Sequence, residues 1–510
     1  MQEASQNPRI HESRLYHEFF HGIEISQPPK CWDECSSQGT SYANQGLDQF
    51  CAHESSLMSR ISDLPIENFS QESRLHQLAH NFPSNGHPDD GLRLKLQELE
   101  TDMLGSNSEI LDLYNVNVTD EAERWKELKE MISRGEGGLK DVLFACAKAV
   151  EEDDAFRIEW LMSELQAMVS VSGKPIQRLA AYMLEGLVAR LASSGSSICM
   201  SLRCEEPVAG PDLLSYMHMI YEICPYFKFG YLSANGAIAD AMKDEDRIHI
   251  IDFMIAQGSQ WISLIQALGT RPGGVPRLRI TGIDDSVSSY ARGGSLEIVG
   301  KRLAKIAESC NVPFEFSAAM VPASEINFEQ LGIRTGEAIA VNFPLMLHHV
   351  PDENVCSDNH RDRLIRLSKS LSPRVVTLVE QESNTNAVPF YPRFMETFRY
   401  YSAVFDSIDV ALPRDHRERV RAEQHCLARD IVNLIACEGM ERVERHEPLA
   451  KWRSRFMMAG FHPYPLSSSV NATIRDLLLG YCESYMLKEW DGALFLGWMN
   501  RPLVSSCAWR

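Results

Sequence analysis

The stretch Arg247–Phe253 limits what this chain can fold into more than any other. Ile248, Ile250 and Ile251 favour a fully buried strand, and Asp252 closes the run with a carboxylate. Gln257, Gly258 and Ser259 can make a turn, after which Trp261, Leu264, Ile265 and Leu268 fall at helical spacing. The segment therefore reads strand, loop, helix, with an acid at the carboxyl end of the strand. That is the first unit of a doubly wound α/β sheet, and ligands of such sheets usually sit at that end.

The alternation continues beyond it. Strands are predicted at Arg277–Ile283, Phe314–Ala318, Ala338–Phe343 and Arg374–Val379, with helices between them, most clearly Leu296–Cys310. Long helices are predicted at Pro389–Ile408 and Glu418–Glu438. The last part reads as an antiparallel meander: Ser484–Glu489, a turn at Asp491 and Gly492, Ala493–Trp498, a second turn, then Leu503–Trp509. Parallel strands followed by a terminal antiparallel hairpin are the plan of Rossmann-type methyltransferases, an analogy of fold that does not give function. Ahead of the sheet, Leu139, Val142, Leu143, Cys146, Ala147 and Val150 follow the spacing of an amphipathic helix. Further helices are predicted at Ala155–Val169, from Pro175, at Asp212–Cys224 and at Tyr231–Met242. The expected architecture is an α-helical cap over residues 138–245 and an α/β core with additional helices over 246–510.

Residues 1–134 differ in character. They are rich in Ser, Gln, Asn, His and acidic residues, show little periodicity, and hold 23 Asp and Glu against 11 Lys and Arg. The expectation is a disordered acidic leader, with a short helix at Glu121–Ile132 leading into the folded part. Cys31, Cys35, Cys51 and His53 match no standard zinc spacing. The whole chain has a net charge of −20, which argues against broad binding of phosphate backbones. No apolar run is long enough to span a membrane, and residues 1–20 lack a secretory signal core. The cysteines, scattered through apolar segments, read as reduced thiols of a cytosolic or nuclear chain.

Three short signatures in this sequence resemble those of the GRAS family. Ile248, His249, Ile250, Ile251 and Asp252 resemble its VHIID motif, with Ile248 in place of Val. Pro389, Phe390, Tyr391 and Arg393 resemble its PFYRE motif, and Ser506, Ala508 and Trp509 resemble its terminal SAW motif. They stand in the family's order, and the wording around Asn342–Val350 is similar to the branch linked to phytochrome-A signalling. The resemblance implies a plant transcriptional regulator of nucleus and cytoplasm that docks onto DNA-binding transcription factors and co-regulators in light or stress signalling. It implies contact with DNA mainly through those partners and a homo- or heterodimer with related proteins. It also implies a partner-binding surface in the first leucine-rich region and a structural role for the signature residues. The leucines themselves read more simply as core.

An enzyme or a small-molecule receptor is the alternative. A nucleoside ligand would need glycines after the first strand and an acid after the second. Asp284 or Asp285, about 32 residues after Asp252, could supply the acid, and Gly258 and His348 complete the list of pocket candidates. The glycine loop is missing, because Phe253–Gln260 holds one glycine among bulky side chains. No cofactor, metal or catalytic residue is expected. For the adjacent His348 and His349, one packed and one solvated is the ordinary outcome. The run Arg414, Arg417, Arg419 and Arg421 reads as a solvated helix face. Of Trp490, Trp498 and Trp509, strand alternation makes at least some core. Leu264–Gly269 nearly matches a leucine-rich docking helix, with Gly269 in place of its last leucine.

Overall fold

The computed structural model describes residues 126, 128–130, 132–192, 210–284 and 295–510. The acidic leader, its cysteines and most of the predicted helix at 121–132 lie outside these residues, as does Asp285.

Ahead of the sheet lie α1 (Leu139–Glu151), α2 (Ala155–Met168), α3 (Pro175–Leu191), α4 (Gly210–Ile223) and α5 (Tyr226–Ala241). Pro175 sits at the first turn of α3, where its missing N–H costs nothing. The α5 helix begins five residues earlier than its periodicity predicts, because Pro225 caps it and the buried Tyr226 and Phe229 hold the first turn inside. The sheet and its crossovers follow as β1 (Arg247–Asp252), α6 (Gln260–Gly269), β2 (Arg277–Ile283), α7 (Leu296–Ser309), β3 (Phe314–Ala319), β4 (Ala338–Pro344), α8 (His360–Ser370) and β5 (Val375–Gln381). Next come α9 (Phe390–Ala411), α10 (Arg417–Ala422), a π-helical turn (Glu423–Leu427), α11 (Ala428–Ala436) and α12 (Leu449–Met458). Last are the two-residue β6 (Pro463–Tyr464), α13 (Ser468–Leu478), β7 (Tyr485–Trp490), β8 (Ala493–Trp498) and β9 (Arg501–Trp509). The single helix predicted over Glu418–Glu438 is thus interrupted by the π turn.

The strands form one sheet in the order β3-β2-β1-β4-β5-β9-β8-β7, with β6 paired to the end of β9. From β3 to β5 all neighbours are parallel, with Ile250 opposite Ile280 on one side and Ala340 on the other. The last strand, β9, then runs antiparallel between β5 and β8, placing Cys507 opposite Leu378 and Ser506 opposite Leu494. This is the expected Rossmann-like, methyltransferase-like sheet with a terminal antiparallel hairpin.

Both faces of the sheet are covered at its centre, so β4 is buried at every residue and β1, β2 and β5 at all but one. Ile248 and Ile250 of β1 join one core with Leu278, Ile280, Val379 and Val504, against Phe229, Trp261 and Phe405 of the helices. Ile251 points the other way, into a core with Val341, Phe343, Leu378 and Trp509, closed by Leu364, Trp452 and Phe456. Leu139, Leu143, Leu179, Met183, Leu184 and Leu187 of the leucine-rich helices are buried in the first core, so these side chains face inward. The helices α1 and α3 pack on α9, and α3 also packs on α11, so the helical layer is assembled from two distant parts of the chain.

A buried charge cluster holds that layer. Arg178 of α3 is fully buried and donates to Glu423 at 3.2 Å, to Asp409 at 2.7 Å and to the carbonyls of Gly173 and Phe405. Arg419 donates to the same Glu423 at 2.7 Å. Arg419 and Glu423 are themselves fully buried, so the solvated arginine face expected from sequence is corrected at Arg419. Its neighbours Arg414, Arg417 and Arg421 are exposed.

The thiols Cys146, Cys224, Cys310, Cys356, Cys426, Cys482 and Cys507 are free, whereas Cys437 departs from the expectation and is disulfide-bonded. Among the described residues, no helix is long and apolar enough to cross a membrane.

Candidate functional site

The place to test for a ligand is the carboxyl end of β1, β2 and β4. Asp252 lies there and is buried by its own loop and helix. One carboxylate oxygen accepts from Met254 N at 3.2 Å and Asn342 Nδ2 at 3.3 Å, and the other accepts from Trp261 Nε1 at 2.8 Å. Burial pushes the Asp252 carboxyl up to about 7, against the downward pull of those three donors. The network continues inward. Asn342 donates to Gln260 at 3.0 Å and accepts from Thr377 at 2.7 Å, and Gln260 bonds Asn235 of α5 at 3.3 Å. Asp252 therefore anchors a polar seam that ties β1, β4, β5, α5 and α6 together.

The loop after β1 is filled with protein. Ile255 is buried and lies over β2, where a Cβ built on Gly282 would meet the Ile255 side chain at 3.1 Å. Phe253 stacks on Phe343 with ring centroids 4.8 Å apart. Gly258 has φ +76°, and a Cβ there would come within 2.9 Å of Val299 on α7. Its freedom thus serves a turn and close helix packing, where a nucleotide loop would use it to approach phosphate.

A small cavity of about 180 Å³ remains beside this loop. Phe253, Met254, Ile283, Asp284, Met346 and His349 are among its lining residues. Asp284 and His349 face it, while Asp252, Gly258 and His348 do not line it, so the pocket candidates read from sequence are only partly brought together.

His348 belongs to a different cluster. It is buried, and its Nδ1 bonds Glu380 of β5 at 2.6 Å. Glu380 also accepts from Leu347 N at 2.8 Å. Burial pushes the His348 imidazole well below its ordinary value and the Glu380 carboxyl up to about 7. His349 is partly exposed, so the pair divides as expected.

The three signatures lie apart. His249 accepts from Arg279 at Nδ1, 2.9 Å, so its Nε2 carries the proton and donates to Thr281 at 2.8 Å. Burial and Arg279 lower its imidazole to about 4. Arg393 is buried, donates to the Leu434 carbonyl at 2.8 Å and pairs with Glu438. Pro389 caps α9, Phe390 packs in the first core, and Lys148 lies over the Tyr391 ring at 5.3 Å. Ser506 bonds Ser233 of α5 at 2.6 Å, Ala508 is buried, and Trp509 stacks on Phe456 at 5.0 Å. Ile248, Ile250 and Ile251 supply both cores. Of the three tryptophans, Trp498 and Trp509 are core and Trp490 is exposed. In α6 the residues Leu264, Ile265 and Leu268 are buried, so that helix offers no leucine docking face. Sequence reading missed Glu380, which follows the apolar run of β5, and Glu444 and His446, which stand in a charged stretch far from His348 in the chain.

A Rossmann-like sheet whose nucleotide loop is replaced by packed side chains is the class that this architecture defines. The GRAS domain family matches residues 139–510, and the chain belongs to that family. It is 68% identical to Scarecrow-like protein 5 of Arabidopsis thaliana over 75% of this chain, a match that spans 63% of that protein's length. It is 62% identical to the Scarecrow-like transcription factor PAT1 of Arabidopsis thaliana, covering 82% of this chain and 86% of that protein. The crystal structure of SCL7 in Oryza sativa superposes with a TM-score of 0.65 at 36% identity, covering 73% of this chain and 99% of that one.

Proposed function

We propose that this chain is a plant transcriptional regulator without enzymatic activity, acting in the nucleus and cytoplasm by docking onto DNA-binding transcription factors and co-regulators. Light or stress signalling is the setting we assign to it, and related chains are candidate dimer partners. The observation that carries this reading is the filled first loop. Ile255 covers β2 where a nucleoside would lie, and both oxygens of Asp252 are committed to protein donors. The cavity beside that loop, of about 180 Å³, is smaller than the roughly 300–1,000 Å³ of ordinary small-molecule sites. The signature residues hold the domain together and act on regulation through its integrity.

DNA is reached through partners. The chain carries a net charge of −20. In its densest basic run, Arg419 is paired to Glu423 and Arg414 to Asp409. Little counterion release is available from such a surface. Exposed apolar side chains such as Phe156, Leu479 and Trp490 suit protein contacts instead. The test is a titration of the purified chain against duplex libraries at two salt concentrations, beside promoter occupancy with and without a DNA-binding partner. Weak binding and partner-dependent occupancy are expected, and tight sequence-selective binding by the chain alone refutes the reading. The cavity keeps a receptor reading in play. A melting-temperature rise with a small-molecule ligand would favour it, and turnover of a methyl donor would favour an enzyme.

A further inference from the structure

The second polar cluster has the make-up of a metal site. His348 and His349 sit in the tight turn Leu347–His349 after β4, and Glu444 and His446 lie in the extended segment between α11 and α12. Nε2 of His348 is 3.5 Å from one oxygen of Glu444, and Nδ1 of His349 is 3.4 Å from the other. Donor atoms of His348, His349 and Glu444 all lie within 4.8 Å of one another. Nε2 of His446 is 3.4 Å from the Glu444 oxygen that faces His348. Bonds of about 2.1 Å to a tetrahedral zinc ion hold neighbouring donors about 3.4 Å apart, and each of the three imidazoles stands 3.4 or 3.5 Å from an oxygen of Glu444.

Two further observations point the same way. The Glu444 oxygen facing His348 and the Nε2 of His446 are both buried and have no hydrogen-bond partner. Both atoms lie inside the protein 3.4 Å apart, where a polar atom without a partner leaves its desolvation uncompensated unless something binds there. The outer contacts of the imidazoles are also those of metal ligands. His348 directs Nδ1 to the Glu380 carboxylate at 2.6 Å, which leaves Nε2 as the inward-facing nitrogen, and His446 bonds Thr385 Oγ1 through Nδ1 at 3.1 Å.

We propose that His348, His349 and Glu444 bind a divalent transition-metal ion of the zinc class, with His446 as the nearest fourth donor. The donor set of imidazoles and one carboxylate suits zinc over calcium or magnesium, which take oxygen. The ion would fasten the turn after β4 to the segment after α11, and through His349 it would stand at the wall of the small cavity. This assignment does not depend on the regulatory reading.

The experiment uses the full-length chain, freed of metal with a chelator and titrated with Zn²⁺ and, separately, Co²⁺. One equivalent of Zn²⁺ is expected, and the Co²⁺ form should show the intense visible absorption of a tetrahedral site. His349→Ala, at a partly exposed position that should tolerate the change, and Glu444→Gln should each weaken Zn²⁺ binding by about tenfold or more, and Glu380→Gln by about 10–100-fold. His462→Ala, on the surface and outside the cluster, should bind as wild type does. Circular dichroism checks that each variant is folded, and if Glu444→Gln is not, His349→Ala decides. Failure of the folded wild-type chain to take up Zn²⁺ overturns the proposal. Unchanged affinity in His349→Ala overturns it equally.

Discussion

Glu423→Gln is the sharpest test of how the helical layer is held. The change keeps the shape of the side chain and removes the charge between Arg178 and Arg419. All three side chains are fully buried. Arg178 keeps Asp409 and two carbonyls, whereas Arg419 loses its carboxylate and is left with the Arg414 carbonyl at 2.5 Å. Breaking a buried ion pair by removing one partner costs about 3–5 kcal/mol, because the remaining charge stays desolvated. That is a large part of a total of roughly 5–15 kcal/mol. At about 2.1 cal/mol/K of unfolding entropy per residue, 1 kcal/mol moves the melting temperature of a chain this long by about 1 °C. Glu423→Gln should therefore melt about 3–5 °C below wild type by differential scanning calorimetry. The triple variant Arg178→Met, Arg419→Met, Glu423→Leu should recover part of that loss, since no buried charge is left unpaired. A Glu423→Gln melting temperature within about 1 °C of wild type would show that water reaches the cluster, and the argument would fail.

The other expectations concern the sheet. Burial moves the Asp252 carboxyl from 3.8 to about 7, so the folded chain holds this proton more firmly than the unfolded one. The associated stability is complete below about pH 4 and is lost as pH rises towards 7, by at most about 4 kcal/mol. Asp252→Asn does not titrate, so denaturant unfolding should show the wild type losing ground to the variant across that window, and a constant gap would refute the assignment. Deleting residues 503–510 removes the buried Leu503, Val504 and Trp509 and strips β5 and β8 of their shared neighbour. The truncated chain should be insoluble or unfolded, and a soluble product with an unchanged melting temperature would contradict the pairing.

The sheet was legible because β1, β4 and β5 are mostly apolar runs and β2 and β3 alternate apolar with polar residues, with helical spacing between them. The Asp491 and Gly492 turn announced the last hairpin in the same local way. What lay hidden depends on contacts across long stretches of chain. Arg419 stands among exposed arginines and acids, and nothing local distinguishes it. Only Arg178, brought in by α3, turns Glu423 and Arg419 into an interior pair. Trp261 reads as a core aromatic, and its hydrogen bond to Asp252 follows from a helix angle that periodicity does not specify. His348 drew notice beside His349, yet its partners Glu380, Glu444 and His446 come from β5 and from a segment without regular structure. Asp284 faces a cavity, as an acid after the second strand of such a sheet should, although the nucleoside space beside it is filled by Ile255.

The helical layer has a consequence for anyone who exchanges parts between members of the family. Its helices look like a separable amino-terminal module, but α3 rests on α9 and α11, and both carboxylates that pair with Arg178 come from the second stretch. A chimera joined just before β1 would set one parent's α3 against the other parent's α9 and π turn, mismatching both steric fit and charge. Transplants that carry residues 390–436 along with residues 139–191 would keep Arg178 and Arg419 beside Asp409 and Glu423.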